Sequence, residues 1–326
     1  MIAEPRRILV VGPAWVGDMV MAESLFAMTK RRHPGARLEV LAPRWTLPLL
    51  KFMPEVDEAI DLPFGHGELN LTGRRLLGRT LARRGYDLAL VLPGSLKSSL
   101  VPYWAGAIAR RGYGGLLRRL LLTEVRSKQA LPQVESFAAL LEATGEVPRP
   151  KLQVPPAAVE KALTDLGLSR PAAPILAIAP GAEYGPAKRW PARHFAALAK
   201  AKQAQCWDVW LFGSSGDREA AAAIPATVNL VGRTSLDHAV ALLSLADAVV
   251  SNDSGLMHVA AALDRPQVAL FGPSDPTRTG PRNPAARVLR LGLDCSPCNK
   301  RVCPLRHHRC LEELLPEQVL AALPPS

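Results

Sequence analysis

The sequence predicts an α/β protein built from two Rossmann-like domains whose parallel sheets face each other across a cleft. Three observations carry that prediction. Apolar runs of strand length, such as residues 8–11 and 175–179, alternate with helical stretches along most of the chain. Between 145 and 175 the alternation breaks at Pro148, Pro150, Pro155, Pro156, Pro171 and Pro174, then restarts. Several of the runs end in loops rich in Gly, Pro, Ser and Asp, as strands do at the carboxyl edge of a parallel sheet. The domains are expected at 1–155 and 156–326.

Residues 8–11 read as the first strand. The turn Gly12-Pro13-Ala14-Trp15-Val16-Gly17-Asp18 follows it, then a helix over 19–32 closed by His33-Pro34-Gly35. Strands are expected at 38–41, 59–62 and 88–92, the last preceded by a basic helix over 76–84. In the linker one helix covers 157–166. Beyond it come a strand at 175–179, a loop at 180–191, a helix at 193–204 and a strand at 209–212. A loop at 213–217 and a helix over 236–245 lead to a strand starting at Ala248. That strand breaks at Ser251-Asn252-Asp253-Ser254-Gly255, resumes as a helix over 256–263, and is followed by a strand over 268–271 and the turn Gly272-Pro273-Ser274.

Composition narrows the function. A chain of 326 residues, 48% hydrophobic with mixed charge, can bury the cores of two soluble domains. Its longest apolar runs are strand-sized, so no membrane span is expected, and no signal-peptide pattern precedes the first strand. A cytoplasmic protein with five reduced cysteines is the expectation. The net charge of +11 implies an acidic partner, and much of the excess lies between Arg74 and Lys128. Aromatics make up 5% and do not interleave with that basic run, which argues against nucleic acid. A polyanionic substrate or an anionic membrane face fits better.

The stretch around Asp253, Ser254 and Gly255 is the sharpest chemical signal. A strand feeds a polar loop whose following helix leaves its first amides free for an anion such as a diphosphate. An ordinary helix cap is the plainer reading of Asp253 or Ser254 alone. In the loop 180–191, Gly181 and Gly185 permit close backbone approach and Lys188 can deliver a point charge to phosphate. Asp217 and Glu219 stand where an acid often bonds a ribose, and either could equally cap a helix. His258 reads as a supporting hydrogen-bonder. Asp18, at the mouth of the first helix, is an N-cap or a general base held ionised by the helix dipole. Its loop lacks a G-x-G-x-x-G fingerprint, which counts against a dinucleotide. Cys295, Cys298, Cys303 and Cys310 cluster near the C-terminus, with His307 and His308 beside them. They suit a structural metal as well as free or oxidisable thiols, and the spacing leaves both open.

Taken together, these loops resemble the heptosyltransferases of lipopolysaccharide inner-core assembly, inverting glycosyltransferases of GT-B architecture. The resemblance rests on residues 12–19, 92–98, 180–191 and 252–263, with Gly65-His66-Gly67 also fitting, and runs from about residue 6 to 291. It implies a cytoplasmic enzyme, peripheral on the inner membrane. Such an enzyme moves heptose from ADP-heptose to heptosyl-Kdo2-lipid A, the acceptor being the first heptose of the core, and needs no cofactor for catalysis. By the same resemblance Asp18 would be the base, and Lys188 would hold the diphosphate. Gly181, Asp253, Ser254, Gly255, Leu256 and His258 would line the donor. Adenosine would lie near Gly213, Asp217 and Gly232-Arg233-Thr234. Lys97, Arg74 and Arg75 would meet the phosphorylated acceptor. Gly94 departs from the family pattern, where a bulkier polar residue is expected.

Three other readings compete. The first is a related sugar-nucleotide transferase, including the one that adds the first heptose. The second is a non-catalytic basic adaptor using the cysteines as a zinc knuckle. The third, a dinucleotide-dependent oxidoreductase, is disfavoured by the missing glycine fingerprint.

Overall fold

A computed structural model describes residues 4–65, 67–127, 129–142 and 145–324, so His66 and Lys128 lie outside the described residues. The chain forms two compact units, Met1–Pro150 and Lys151–Ser326. The division falls inside the proline-rich stretch, after Pro150 rather than after residue 155.

The first unit holds β1 (Arg7–Val11), β2 (Arg37–Pro43), β3 (Glu58–Leu62), β4 (Leu88–Val91), β5 (Ala109–Tyr113) and β6 (Glu124–Arg126). They form one sheet in the order β3-β2-β1-β4-β5-β6, every pair parallel. The central strands read as unbroken apolar runs because helices cover both faces. Ile8, Leu9, Val10, Leu38, Val40 and Leu90 are accordingly buried.

The second unit repeats the design with β7 (Ile175–Ala179), β8 (Asp208–Leu211), β9 (Val228–Asn229), β10 (Ala248–Asn252), β11 (Gln267–Leu270) and β12 (Ala286–Leu289). Their order is β12-β11-β10-β7-β8-β9, again all parallel. In each sheet the first strand of the unit therefore lies beside the fourth. Chain direction across the sheet reverses between β1 and β4, and again between β7 and β10. Open α/β sheets bind ligands at such a point, outside the carboxyl ends of the strands.

Three differences from expectation bear on the site. The helix after β1 spans Val16–Arg32, so Asp18 lies inside its first turn instead of ahead of it. β10 runs on through Ser251 and Asn252, which the sequence had marked as loop, so the polar side chains begin while the backbone is still in the sheet. The basic helix begins at Leu71, where the Asn70 side chain accepts from Gly73 N at 3.0 Å. Strands β5, β6 and β12 were not foreseen, because their sequences ARRGY, EVR and ARVL carry charged residues in place of an apolar run.

One buried charge ties the amino ends of the first sheet together. Glu39, wholly buried, meets Arg7 at 3.2 Å, Arg37 at 3.0 Å and Arg84 at 2.5 Å, and the Tyr86 hydroxyl donates to it at 2.5 Å.

Candidate functional site

The switch point of the second sheet collects loops 180–191 and 253–255. Asn252 buckles them together: its Oδ1 accepts from Trp190 N at 2.9 Å, and its Nδ2 donates to Pro180 O at 2.7 Å. This draws Lys188 over the end of β10. Lys188 Nζ stands 2.5 Å from Asp253 Oδ2 and 4.8 Å from the Tyr184 ring centroid. Ser274, in the turn after β11, donates to the same Asp253 oxygen at 2.5 Å. One buried carboxylate thus fixes a lysine and a hydroxyl from two further loops.

The helix Gly255–Ala262 opens beside this cluster. Its N-cap, Ser254, makes no side-chain capping bond, and the buried Ser254 Oγ has no hydrogen-bond partner. A helix start left uncapped by its own side chains, next to a lysine, suits an anion. Gly255 and Leu256 are half-buried at that start. His258 is buried one turn along; burial, with Lys188 nearby, pushes its imidazole down to about 4 against the opposing pull of Asp253. It is therefore an uncharged ring at neutral pH.

Gly181 is a glycine for a steric reason. A Cβ at that position would lie 2.3 Å from the Asp217 carboxyl carbon. Asp217 itself caps a turn: its Oδ2 accepts from Ser214 N at 2.9 Å and Ser214 Oγ at 2.8 Å, while Oδ1 faces Arg189 at 3.7 Å. Of the two roles the sequence left open for Asp217, capping is the one its geometry displays. Glu219 is exposed.

In the first unit the loops after β1 and β4 meet the corresponding switch point. Asp18 is half-buried in the first turn of Val16–Arg32, whose N-cap Trp15 makes no side-chain cap. Lys97 sits on the short turn Leu96–Ser99, its Nζ donating to Glu68 O at 3.3 Å. That turn is held from below by Arg118, a buried residue the sequence gave no reason to single out. Its Nε and Nη2 donate to Ser99 Oγ at 3.0 and 2.8 Å. Arg75 is exposed. Arg74 corrects the expectation of a residue facing the acceptor. It is buried, stacks on Phe64 at 4.6 Å, and donates to Leu69 O at 2.6 Å and Glu68 O at 3.1 Å. Those contacts make it an anchor for Phe64, Glu68 and Leu69. Asn252 and Ser274 were also passed over, since neither residue type signals chemistry without the strand end that places it.

All five cysteines are free thiols. Cys295, Cys298, Cys303 and Cys310 line one cavity with His307 and His308. Burial and the neighbouring thiols push Cys310 up to about 11. Cys303 is held below its ordinary value: burial raises it, but the backbone amides of His308, Leu305, Arg306 and His307 outweigh that. As the side chains are placed, no three His, Cys, Asp or Glu among the described residues converge closely enough to hold a metal ion.

Comparison with known proteins places this arrangement in context. The family model described as glycosyltransferase family 9 (heptosyltransferase) matches residues 74–308. The chain is similar to lipopolysaccharide heptosyltransferase 2 of Escherichia coli K12, at 45% identity over 97% of both chains. It is also similar to the protein of the same name from Salmonella typhimurium LT2, at 44% identity over 97% of both. Among solved structures, E. coli ADP-heptose lps heptosyltransferase II superposes with a TM-score of 0.85 at 42% identity, covering 97% of each chain.

Proposed function

The chain belongs to glycosyltransferase family 9, and we propose that it moves L-glycero-D-manno-heptose from ADP-heptose to the first heptose of the lipopolysaccharide inner core. It is a glycosyltransferase of two Rossmann-like units, as in the GT-B fold. The observation that carries the donor assignment is the cluster of Lys188, Asp253 and Ser274 against the uncapped start of Gly255–Ala262. The choice of heptose as cargo, and of a heptose-bearing acceptor, rests on the full-length similarity to the second heptosyltransferases.

The chemistry divides between the units. In the first, Asp18 takes the proton of the acceptor hydroxyl as its oxygen bonds to the anomeric carbon. In the second, the bond from that carbon to the diphosphate breaks, and the electron pair leaves with ADP. Charge then grows on the phosphate oxygens, where Lys188 and the amides of Gly255 and Leu256 stabilise it. Asp253 would repel a diphosphate in direct contact, so it acts through Lys188. It spends one of the three ammonium donors and leaves the others for phosphate. Gly181 and Asp217 shape the loop floor, and His258 supports the helix start from within. Lys97 and Arg75 are the acceptor-side cations.

Among the described residues no helix is long and apolar enough to cross a membrane. The acceptor is a lipid, and the first unit exposes Leu116, Leu117 and Leu120 beside Arg119. That face supports a peripheral seat on the cytoplasmic side of the inner membrane.

The test is transfer in vitro, read by mass spectrometry on two acceptors. With ADP-heptose, Kdo2-lipid A that already carries one heptose gains the mass of a second. Transfer to heptose-free Kdo2-lipid A instead would sink the reading in favour of the enzyme that adds the first heptose.

A further inference from the structure

The segment from Cys295 to His308 has no helix or strand and leaves Val302 and Leu305 largely exposed, so core burial does little to define it. Yet it is tied closely to loop 180–191 and to the turn after β11. Asn299 N donates to Pro273 O at 2.7 Å, and the Tyr184 hydroxyl donates to Asn299 O at 2.9 Å. Arg301 Nε donates to Tyr184 O at 2.6 Å, while Ala187 N donates to Arg301 O at 3.1 Å. The approach is close enough that a Cβ on Gly185 would lie 2.5 Å from Arg301 O. Residues 299–301 fall between Cys298 and Cys303. The piece of chain that steadies the Lys188 loop is thus bracketed by thiols, and Ala187 and Pro273 complete the wall of the cavity those thiols line.

We propose that Cys295, Cys298, Cys303 and Cys310 bind one zinc-class divalent ion, and that this ion braces the loop carrying Lys188. The four cysteines line one cavity and two of them stand at Cys-x2-Cys spacing, a donor set that selects soft, tetrahedral ions. The thiols line the wall without meeting at a point, so binding draws them inward and releases thiol protons. A segment with little apolar surface of its own then gains a staple.

The experiment is metal analysis of the full chain purified under reducing conditions, with cobalt as a spectroscopic probe. We expect about one equivalent of zinc per chain. After chelation, Co2+ should give the intense thiolate-to-cobalt absorption of a tetrahedral sulfur site. Cys298→Ser and Cys310→Ser should lose the metal, whereas Cys206→Ser, at an exposed cysteine outside the cluster, should keep it. Wild-type protein that is metal-free and takes up neither Zn2+ nor Co2+ overturns the proposal. So does iron accompanied by labile sulfide, which would mean a cluster in place of a single ion. Because the cobalt spectrum is read on the wild-type chain, the test survives misfolding of either serine variant. The brace itself rests on the donor reading above: zinc removal should weaken ADP binding about tenfold, the loss of roughly one charge-assisted contact. Unchanged ADP affinity on zinc removal would overturn the brace alone. Failure of ADP to bind the metal-loaded protein would count against the donor reading, not the metal site.

Discussion

Single residues carry the two halves of the reaction, and their substitutions separate chemistry from binding. Asp18→Asn keeps the size of the side chain and removes the base. Turnover should fall about 10²–10⁴-fold while ADP affinity, measured by calorimetry, stays nearly unchanged. Retained turnover would remove Asp18 from the mechanism. Gly181→Ala drives a methyl into the Asp217 carboxylate and should cost about 1–3 kcal/mol, read as a lower Tm. At this scale the sequence was partly legible. Lys188 and Asp253 could be picked out because a lysine loop and an acid both follow predicted strands. Their pairing could not, since the two lie far apart in the chain and only the β7–β10 neighbourhood brings them together. Arg74 misled for the opposite reason: charge is visible in a sequence, but burial against Phe64 and two carbonyls is not.

Among the elements, the helix Gly255–Ala262 couples the site to stability through His258. Folded, that imidazole stays neutral down to about pH 4, whereas in the unfolded chain it takes a proton near its ordinary 6.5. Between those values the unfolded chain binds more protons, so stability falls as the pH drops from about 6.5 toward 4. The full contribution is on the order of 3 kcal/mol. Thermal melts of the wild type should decline across that window, and His258→Gln should flatten the decline. Equal slopes for the two proteins would contradict the assignment. The central strands were readable because burial on both faces makes them continuous apolar runs, as in β1, β4 and β7. Strands β5 and β6 were not. β5 and β6 are stitched by the Arg111–Glu124 pair at 2.8 Å, a cross-strand contact that no local pattern announces.

For the whole molecule, a net charge of +11 and an exposed leucine face on the first unit predict salt-sensitive association with anionic lipid. Vesicles rich in phosphatidylglycerol should retain the protein at low salt and release it at high salt. Leu117→Glu and Leu120→Glu should weaken retention without lowering turnover on a detergent-dispersed acceptor. Binding that is indifferent to both salt and these substitutions would leave the first unit without a membrane role. The repeated strand order, by which both units place their loops at a switch point, is the architectural basis for assigning donor chemistry to the second. That assignment is met most directly by a crystal structure with ADP. The diphosphate should lie within hydrogen-bond reach of Lys188 Nζ and the amides of Gly255 and Leu256. ADP seated instead on the Gly12–Asp18 turn of the first unit would contradict it.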